Sequence, residues 1–412
     1  MKKSITSKSW TKHPWFIEVI NHIGKIFSFF GVNVNMSESY IFNAARKKSG
    51  LHDFGDNSFR VPLRQLLHSI EEEAQLNTAG RLIARKRLID SLDIILRAQE
   101  LIDLYPEILN EELPEVWVIA GLPRTGTTKL HRMLASDPNS RSPLSFETVN
   151  PIPPKPGHPD NRKKEGQLVE KMVKLLSPNI MAIHPIEHNS PEEDLYLGQF
   201  SFISQMMEGT MRVPTYSKWI ETQDKTPSYE FCKKVLQIMQ WHQPCNRWVL
   251  KSPFHLEDFD ALFKVFPQAK VIQTHRDLKK VVPSFCSLIA HYHGVLKDEV
   301  DGDEIGQHWF NKYDRMIRRS IEYRKNSNDV FIDVLYSDLM NDPMGQIENI
   351  YQFMGTTLSD SVKQTIESSG ESNTQFKYGV HKYDMNDFGL TAEAIDQNFL
   401  DYMNAYSIPR EK

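Results

Sequence analysis

Apolar residues three and four apart, with charges between them, run through "FRVPLRQLLHSIEEEAQL" and "AGRLIARKRLIDSLDIILRAQELIDLY". This spacing predicts helices over much of residues 36–105. Asn77 and Thr78, just ahead of the second run, are polar N-cap candidates. The pattern then changes: "EVWVIAG" is a short β-rich run closed by glycine, suited to a buried strand. Runs of the same kind follow at "RWVLKS" (Arg247 to Ser252), "AKVIQTHR" (Ala269 to Arg276) and "DVFIDVLY" (Asp329 to Tyr336). Helical stretches separate them: "SYEFCKKVLQIMQWH", "HLEDFDALFKVF", "KKVVPSFCSLIAHYH" and "MGQIENIYQFM". Non-alternating strands that alternate with helices predict the α/β class, a three-layer parallel sheet flanked by helices. Residues 1–105 are expected to form a helical region packed on the core, and 106–412 the α/β domain. Sheets of this kind bind ligands beyond the carboxyl ends of their strands.

One further stretch, "WFIEVINHIGKIFSFFGVNV", carries Phe16, Val19, Ile20, Ile23, Phe27 and Phe30 at helical spacing. Glu18, His22 and Lys25 interrupt it, and a spanning helix needs about 20 mostly uncharged residues. A helix packed on the body is the expectation; membrane-surface contact or a flap over a substrate pocket would use the same stripe. The N-terminus lacks the apolar run of a signal peptide. Three cysteines, Cys232, Cys245 and Cys286, have no metal-type spacing and leave an odd thiol under any pairing. Together these features predict a reduced, cytoplasmic protein without a transmembrane segment. A formal net charge of −4 speaks against general nucleic-acid binding but leaves room for a local basic pocket.

Such a pocket is foreshadowed by "VWVIAGLPRTGTTKLHRMLASDP". Gly121 and Gly126 have the spacing of a nucleotide-triphosphate loop, G-x-x-x-x-G-K-[ST], and Thr128 holds the Ser/Thr position. Position 127 is Thr instead of Lys, and the basic residue stands upstream at Arg124. Two glycines let the backbone curl so that its N–H groups point inward, and the following helix adds its positive end. The hydroxyls of Thr125, Thr127 and Thr128 add donors. Arg276 ends a predicted strand, with Ser284 eight residues later in a helical run, an arrangement able to hold a second phosphate. Lys251 and His255 lie at the end of another strand, on the same expected rim. Three cationic strand ends suggest a ligand with two separated anionic groups.

These residues resemble the nucleotide-dependent sulfotransferases. "GLPRTGTT" is similar to their 5′-phosphosulfate loop, "HRDLKKVVPS" to their 3′-phosphate motif, and "LKSPFHL" to the element between them. "ARKKSGLHDFGDNSFR", "EED" near 193 and "HKYDMNDFGLTAE" extend the resemblance from about residue 44 to 403. It implies a P-loop-like fold, 3′-phosphoadenosine 5′-phosphosulfate as co-substrate and no metal. It also implies in-line transfer of the sulfuryl group to an acceptor hydroxyl. Donor contacts would come from Arg124, Thr125, Gly126, Thr127, Thr128, Arg276 and Ser284. Lys251 would stabilise the transferring group, and Glu147 and His255 would form a shared acid–base region. His184, His188, Glu192, Glu193 and Asp194 are candidates for the acceptor pocket. Lys377, His381 or Lys382 would replace a glycine-rich element that the cytosolic branch uses at the 3′-phosphate. The Met-rich run "YLGQFSFISQMMEGTMRVPTYSKWI" reads either as a core helix or as the wall of a pocket for an apolar alcohol. The alternatives are a P-loop kinase or NTPase, with Asp333 as its acidic strand residue, and a non-catalytic nucleotide-binding protein.

Overall fold

The structure, a computed structural model, describes residues 10–177, 180–372 and 382–411. Five parallel strands, β1 (Val116–Gly121), β2 (Ser140–Arg141), β3 (Arg247–Lys251), β4 (Lys270–His275) and β5 (Phe331–Leu335), stand in the order β2-β3-β1-β4-β5. The four strands legible in the sequence are all present, and β2 is too short to leave a periodic signal. β1 therefore lies between β3 and β4, with Ile119 in register with Lys251 on one side and Ile272 on the other. All residues of β1 and β3 are buried, because helices cover both faces. Val118, Leu250 and Val271 face the helices Thr226–His242 and Leu278–Leu296. Trp117, Val249 and Ile272 face the opposite layer, which includes the helix Pro343–Met354.

Four helices precede the sheet: α1 (Trp15–Phe29), α2 (Glu38–Ser49), α3 (Arg60–Glu73) and α4 (Thr78–Leu104). Asn77 caps α4 by accepting from the Gly80 N–H at 2.8 Å. Leu63, Leu66, Leu92 and Leu96 close a second core together with Phe202, Tyr216 and Ile238 of the main body. α1 does pack on α4, but through a narrow polar seam at Asn21 and not through its apolar stripe. Only Ile17 and Asn21 of this helix are buried, while Val19, Ile20, Ile23, Ile26 and Phe27 are exposed. Helical spacing reports the stripe and says nothing about whether a partner surface exists.

The helix Gly302–Arg324 packs Ile305, Trp309, Tyr313, Met316 and Ile317 into the main core and braces the segment Met206–Thr210 through buried charges. Glu208 is held between Lys312 and His308 (3.0 Å to the latter), and Glu257 takes Arg315 at 2.6 Å and Gln205 at 3.0 Å. This matters because Gln205 and Met206 belong to the cleft described next.

Candidate active site

β1 ends at Gly121, where a Cβ would lie 2.0 Å from the Thr274 hydroxyl of β4, so glycine alone lets the two strands stay paired there. The chain then turns through Thr125, whose hydroxyl donates to the Leu122 carbonyl at 2.6 Å and touches the Thr274 hydroxyl at 2.6 Å. Arg124 has φ +75° and Gly126 φ +93°, both left-handed. For Gly126 this is free; for Arg124 it is unfavourable by about 1–3 kcal/mol and persists because its surroundings fix it. Its Nε donates to the Ser284 hydroxyl at 3.2 Å, its Nη1 to the Ile183 carbonyl at 3.0 Å, and its own carbonyl accepts from Arg276 Nη1 at 2.9 Å. Burial, with the neighbouring Arg276 charge, pushes the Arg124 pKa down. The helix α5 (Thr127–Ala135) starts directly after Gly126 with no side chain capping its first amides. Those N–H groups and the positive end of α5 are thus left for an anion.

Arg276, beyond the end of β4, already holds one. Its Nε and Nη2 donate to the two carboxylate oxygens of Glu411 at 2.7 and 2.8 Å, and its guanidinium lies 3.8 Å over the Tyr336 ring. The Glu411 N–H donates to Asp277 at 2.8 Å. A bidentate carboxylate on an arginine fork occupies the geometry that a phosphate would use. On the other side of β1, Lys251 at the end of β3 is buried, its Nζ 2.5 Å from Glu193 Oε1.

Arg124, Thr127, Thr128, His184 and Glu193 open together onto a cleft of about 710 Å³. Its far wall is apolar, formed by Phe254, Phe285, Leu288 and Ile289, with Tyr196 and Tyr292 beside them. Burial lowers the pKa of His184, which favours the neutral imidazole. A cationic loop, Glu193 and an apolar wall therefore share one space, with Lys251 buried behind Glu193.

Residues 117–360 match the sequence profile of the Sulfotransferase family. The chain belongs to that family. Sulfotransferases of this family generally take the sulfuryl group from 3′-phosphoadenosine 5′-phosphosulfate. This sulfotransferase superposes on sulfotransferase STF1 from Mycobacterium tuberculosis H37Rv with a TM-score of 0.78 and 31% identity, over 89% of this chain and 98% of that one. Sulfotransferase STF9 from Mycobacterium avium shares the fold at a TM-score of 0.84 and 24% identity, over 92% and 99% of the two chains. In sequence it is 26% identical over 315 residues to the omega-hydroxy-beta-dihydromenaquinone-9 sulfotransferase Stf3 of Mycobacterium bovis, covering 72% of this chain and 76% of the relative. Protein-tyrosine sulfotransferase 1 of Danio rerio is 23% identical over 74% of this chain and 67% of its own length.

The residues expected to act as acid and base in this sulfotransferase lie elsewhere than the cleft. Glu147 lies in the first turn of the short helix Ser145–Val149, where its two oxygens accept from Arg141 at 2.7 Å and from the Leu144 N–H at 3.0 Å. That arrangement caps a helix and leaves the carboxylate away from the cleft lining. His255 is buried in an adjoining cavity, its Nδ1 2.8 Å from the Tyr229 hydroxyl and its Nε2 3.3 Å from Asp194. Of the polar group near 190, His184 and Glu193 reach the cleft, Asp194 turns to His255, and His188 pairs with Glu170 at 2.6 Å. The Met-rich run divides: Tyr196, Gln205 and Met206 line the cleft, while Phe200, Phe202 and Tyr216 belong to the core. Lys382 is exposed, and Lys377 and His381 lie outside the described residues. Asp333, the acidic residue that a kinase reading would use, is clamped by Arg324 at 2.6 Å and His275 at 2.8 Å.

Proposed function

We propose that the cleft binds 3′-phosphoadenosine 5′-phosphosulfate and transfers its sulfuryl group to the hydroxyl of an apolar, lipid-like alcohol. The single observation that carries this reading is the meeting of Glu193, itself paired with Lys251, with the uncapped start of α5 in a cleft that has an apolar wall. The 5′-phosphosulfate suits the loop from Arg124 to Thr128, and the 3′-phosphate suits Arg276 and Ser284. Fit at the second position is supported by Glu411, whose carboxylate stands in for an anion on the Arg276 fork. When bound, the donor supplies the sulfuryl group and a phosphate leaving group. Glu193 accepts the proton of the acceptor hydroxyl as its oxygen bonds to sulfur. Lys251 and Arg124 stabilise the negative charge that builds on the sulfuryl and bridging oxygens as the sulfur–oxygen bond to the phosphate breaks. His255, tied to Asp194 next to Glu193 in sequence, is a positioning residue. An apolar acceptor is supported by the Phe285–Ile289 wall and by the lipid named for the mycobacterial relative.

Thermal unfolding with 3′-phosphoadenosine 5′-phosphate, beside Mg·ATP, tests the donor assignment. At 100 times its Kd the bisphosphate should stabilise the fold by about 2.7 kcal/mol, independently of Mg²⁺, and Arg276→Ala should remove most of that gain. A shift with Mg·ATP alone would overturn the reading. Because Glu411 must leave the Arg276 fork before a phosphate can enter, Glu411→Gln is expected to lower the donor KM several-fold. An unchanged or higher KM would mean that Glu411 holds Arg276 in place instead of competing for it.

A further inference from the structure

We propose that α1 is a membrane-surface anchor that lays its apolar residues into an anionic lipid surface. The helix is fastened to the body along a narrow seam: Asn21 accepts from the Ala79 N–H at 3.0 Å, Gly24 fits against Thr78, and Lys25 pairs with Asp298 at 2.8 Å. Outside that seam one face of the helix carries large apolar residues that are uncovered. Trp15 is 77% exposed, Phe29 86% and Phe30 72%, with Ile23, Ile26 and Phe27 about half exposed between them. An aromatic residue thus marks each end of the stripe, as suits the boundary between headgroups and acyl chains. Among the described residues no helix is long and apolar enough to cross a membrane, so α1 would lie in the surface.

Charge selects the occupant. Over residues 1–37 the sequence carries Lys2, Lys3, Lys8 and Lys12 against Glu18, with Lys25 already paired to Asp298, in a chain whose formal net charge is −4. A locally basic, apolar segment on an acidic protein is complementary to anionic lipid headgroups. The position of α1 also connects it to the cleft. The helix Leu278–Leu296 carries Leu288, Ile289 and Tyr292 on the cleft wall and ends at Leu296. The Leu296 carbonyl accepts from the Asn77 N–H at 3.0 Å, immediately before the residues that seat α1. One helix thus joins the acceptor wall to the proposed lipid-facing element. Only this connection rests on the lipid-like acceptor proposed above; surface binding itself is read without turnover.

The test is flotation of the full chain with phosphatidylcholine vesicles that contain or lack phosphatidylglycerol. Wild type is expected to float with the anionic vesicles and to lose most of that binding in high salt. The double substitution Ile23→Asp with Phe27→Asp should weaken binding by about tenfold or more while keeping the thermal midpoint and the bisphosphate-induced shift. Should that variant fail to fold, Trp15→Phe gives a milder readout: the blue shift of tryptophan emission on vesicles should shrink relative to wild type. Failure to float, flotation indifferent to both substitutions, or concentration-dependent dimers that the double variant abolishes without any vesicle binding would each overturn the proposal. A bisphosphate shift retained alongside such a failure would leave the donor site standing.

Discussion

Glu193→Gln is expected to lower kcat by about 10²–10⁴-fold, the usual contribution of a general base, with bisphosphate affinity nearly unchanged. The substitution keeps the shape of the side chain and removes its capacity to take a proton. Lys251 loses its charged partner at 2.5 Å but gains an amide oxygen, so the cleft should survive. Glu147→Gln supplies the contrast. Its carboxylate serves Arg141 and the Leu144 N–H, so that variant should be less stable by about 1–3 kcal/mol, with kcat little altered. Single-turnover rates and unfolding midpoints of the two variants separate these roles. If Glu147→Gln were the slower enzyme and Glu193→Gln were normal, the base would have been misassigned.

Lys312→Met should be the most damaging substitution for stability, at about 3–5 kcal/mol, because it strands a buried carboxylate. Lys312 and Glu208 are 1% and 3% exposed. Burial alone would raise the Glu208 pKa, but the opposed charge of Lys312 and the hydrogen bond from His308 win, holding it at about 2. A carboxyl whose pKa falls on folding stabilises the protein fully above its unfolded value of 4.5. That contribution fades as the pH drops from there towards about 2. Acid unfolding of wild type should therefore show a loss in this window that the double variant Glu208→Gln with Lys312→Met lacks. The double variant should also recover much of the stability lost by Lys312→Met, since replacing both members of a buried pair removes the unpaired charge. No recovery would place the cost in lost packing instead.

The grouping proposed for the donor was legible because it is local. Gly121, Arg124 and Gly126 fall within one turn after a strand, and Arg276 and Lys251 mark the ends of the two strands that flank it. Chain connectivity alone nearly assembles them. The acceptor half is different. Glu193 meets Lys251 from a position 58 residues away, on a stretch without strand or long-helix periodicity. A motif such as "EED" presents three carboxylates, and only the packing decides that Glu193 reaches the cleft while Asp194 turns to His255. Glu147 shows the converse. Its distance from the loop along the chain suits a catalytic role, yet Arg141 and the Leu144 N–H satisfy both oxygens. The helix Gly302–Arg324 buries Ile305, Trp309, Tyr313, Met316 and Ile317, but Lys312 and Arg324 lie on the same buried face and interrupt its apolar stripe in the sequence.

In the proposed complex Arg124 would tie the two ends of the nucleotide into one reading head. Its side chain leans on Ser284 and its carbonyl on Arg276, while its own backbone is left-handed. A donor analogue without a 3′-phosphate would leave the Arg276–Ser284 side under no pull, and through Arg124 the other end would be less well set. Such an analogue would therefore be handicapped twice, once in residence time and again in the speed of each encounter that does form. Fidelity towards the correct nucleotide would then be exercised at the chemical step as well as at the door.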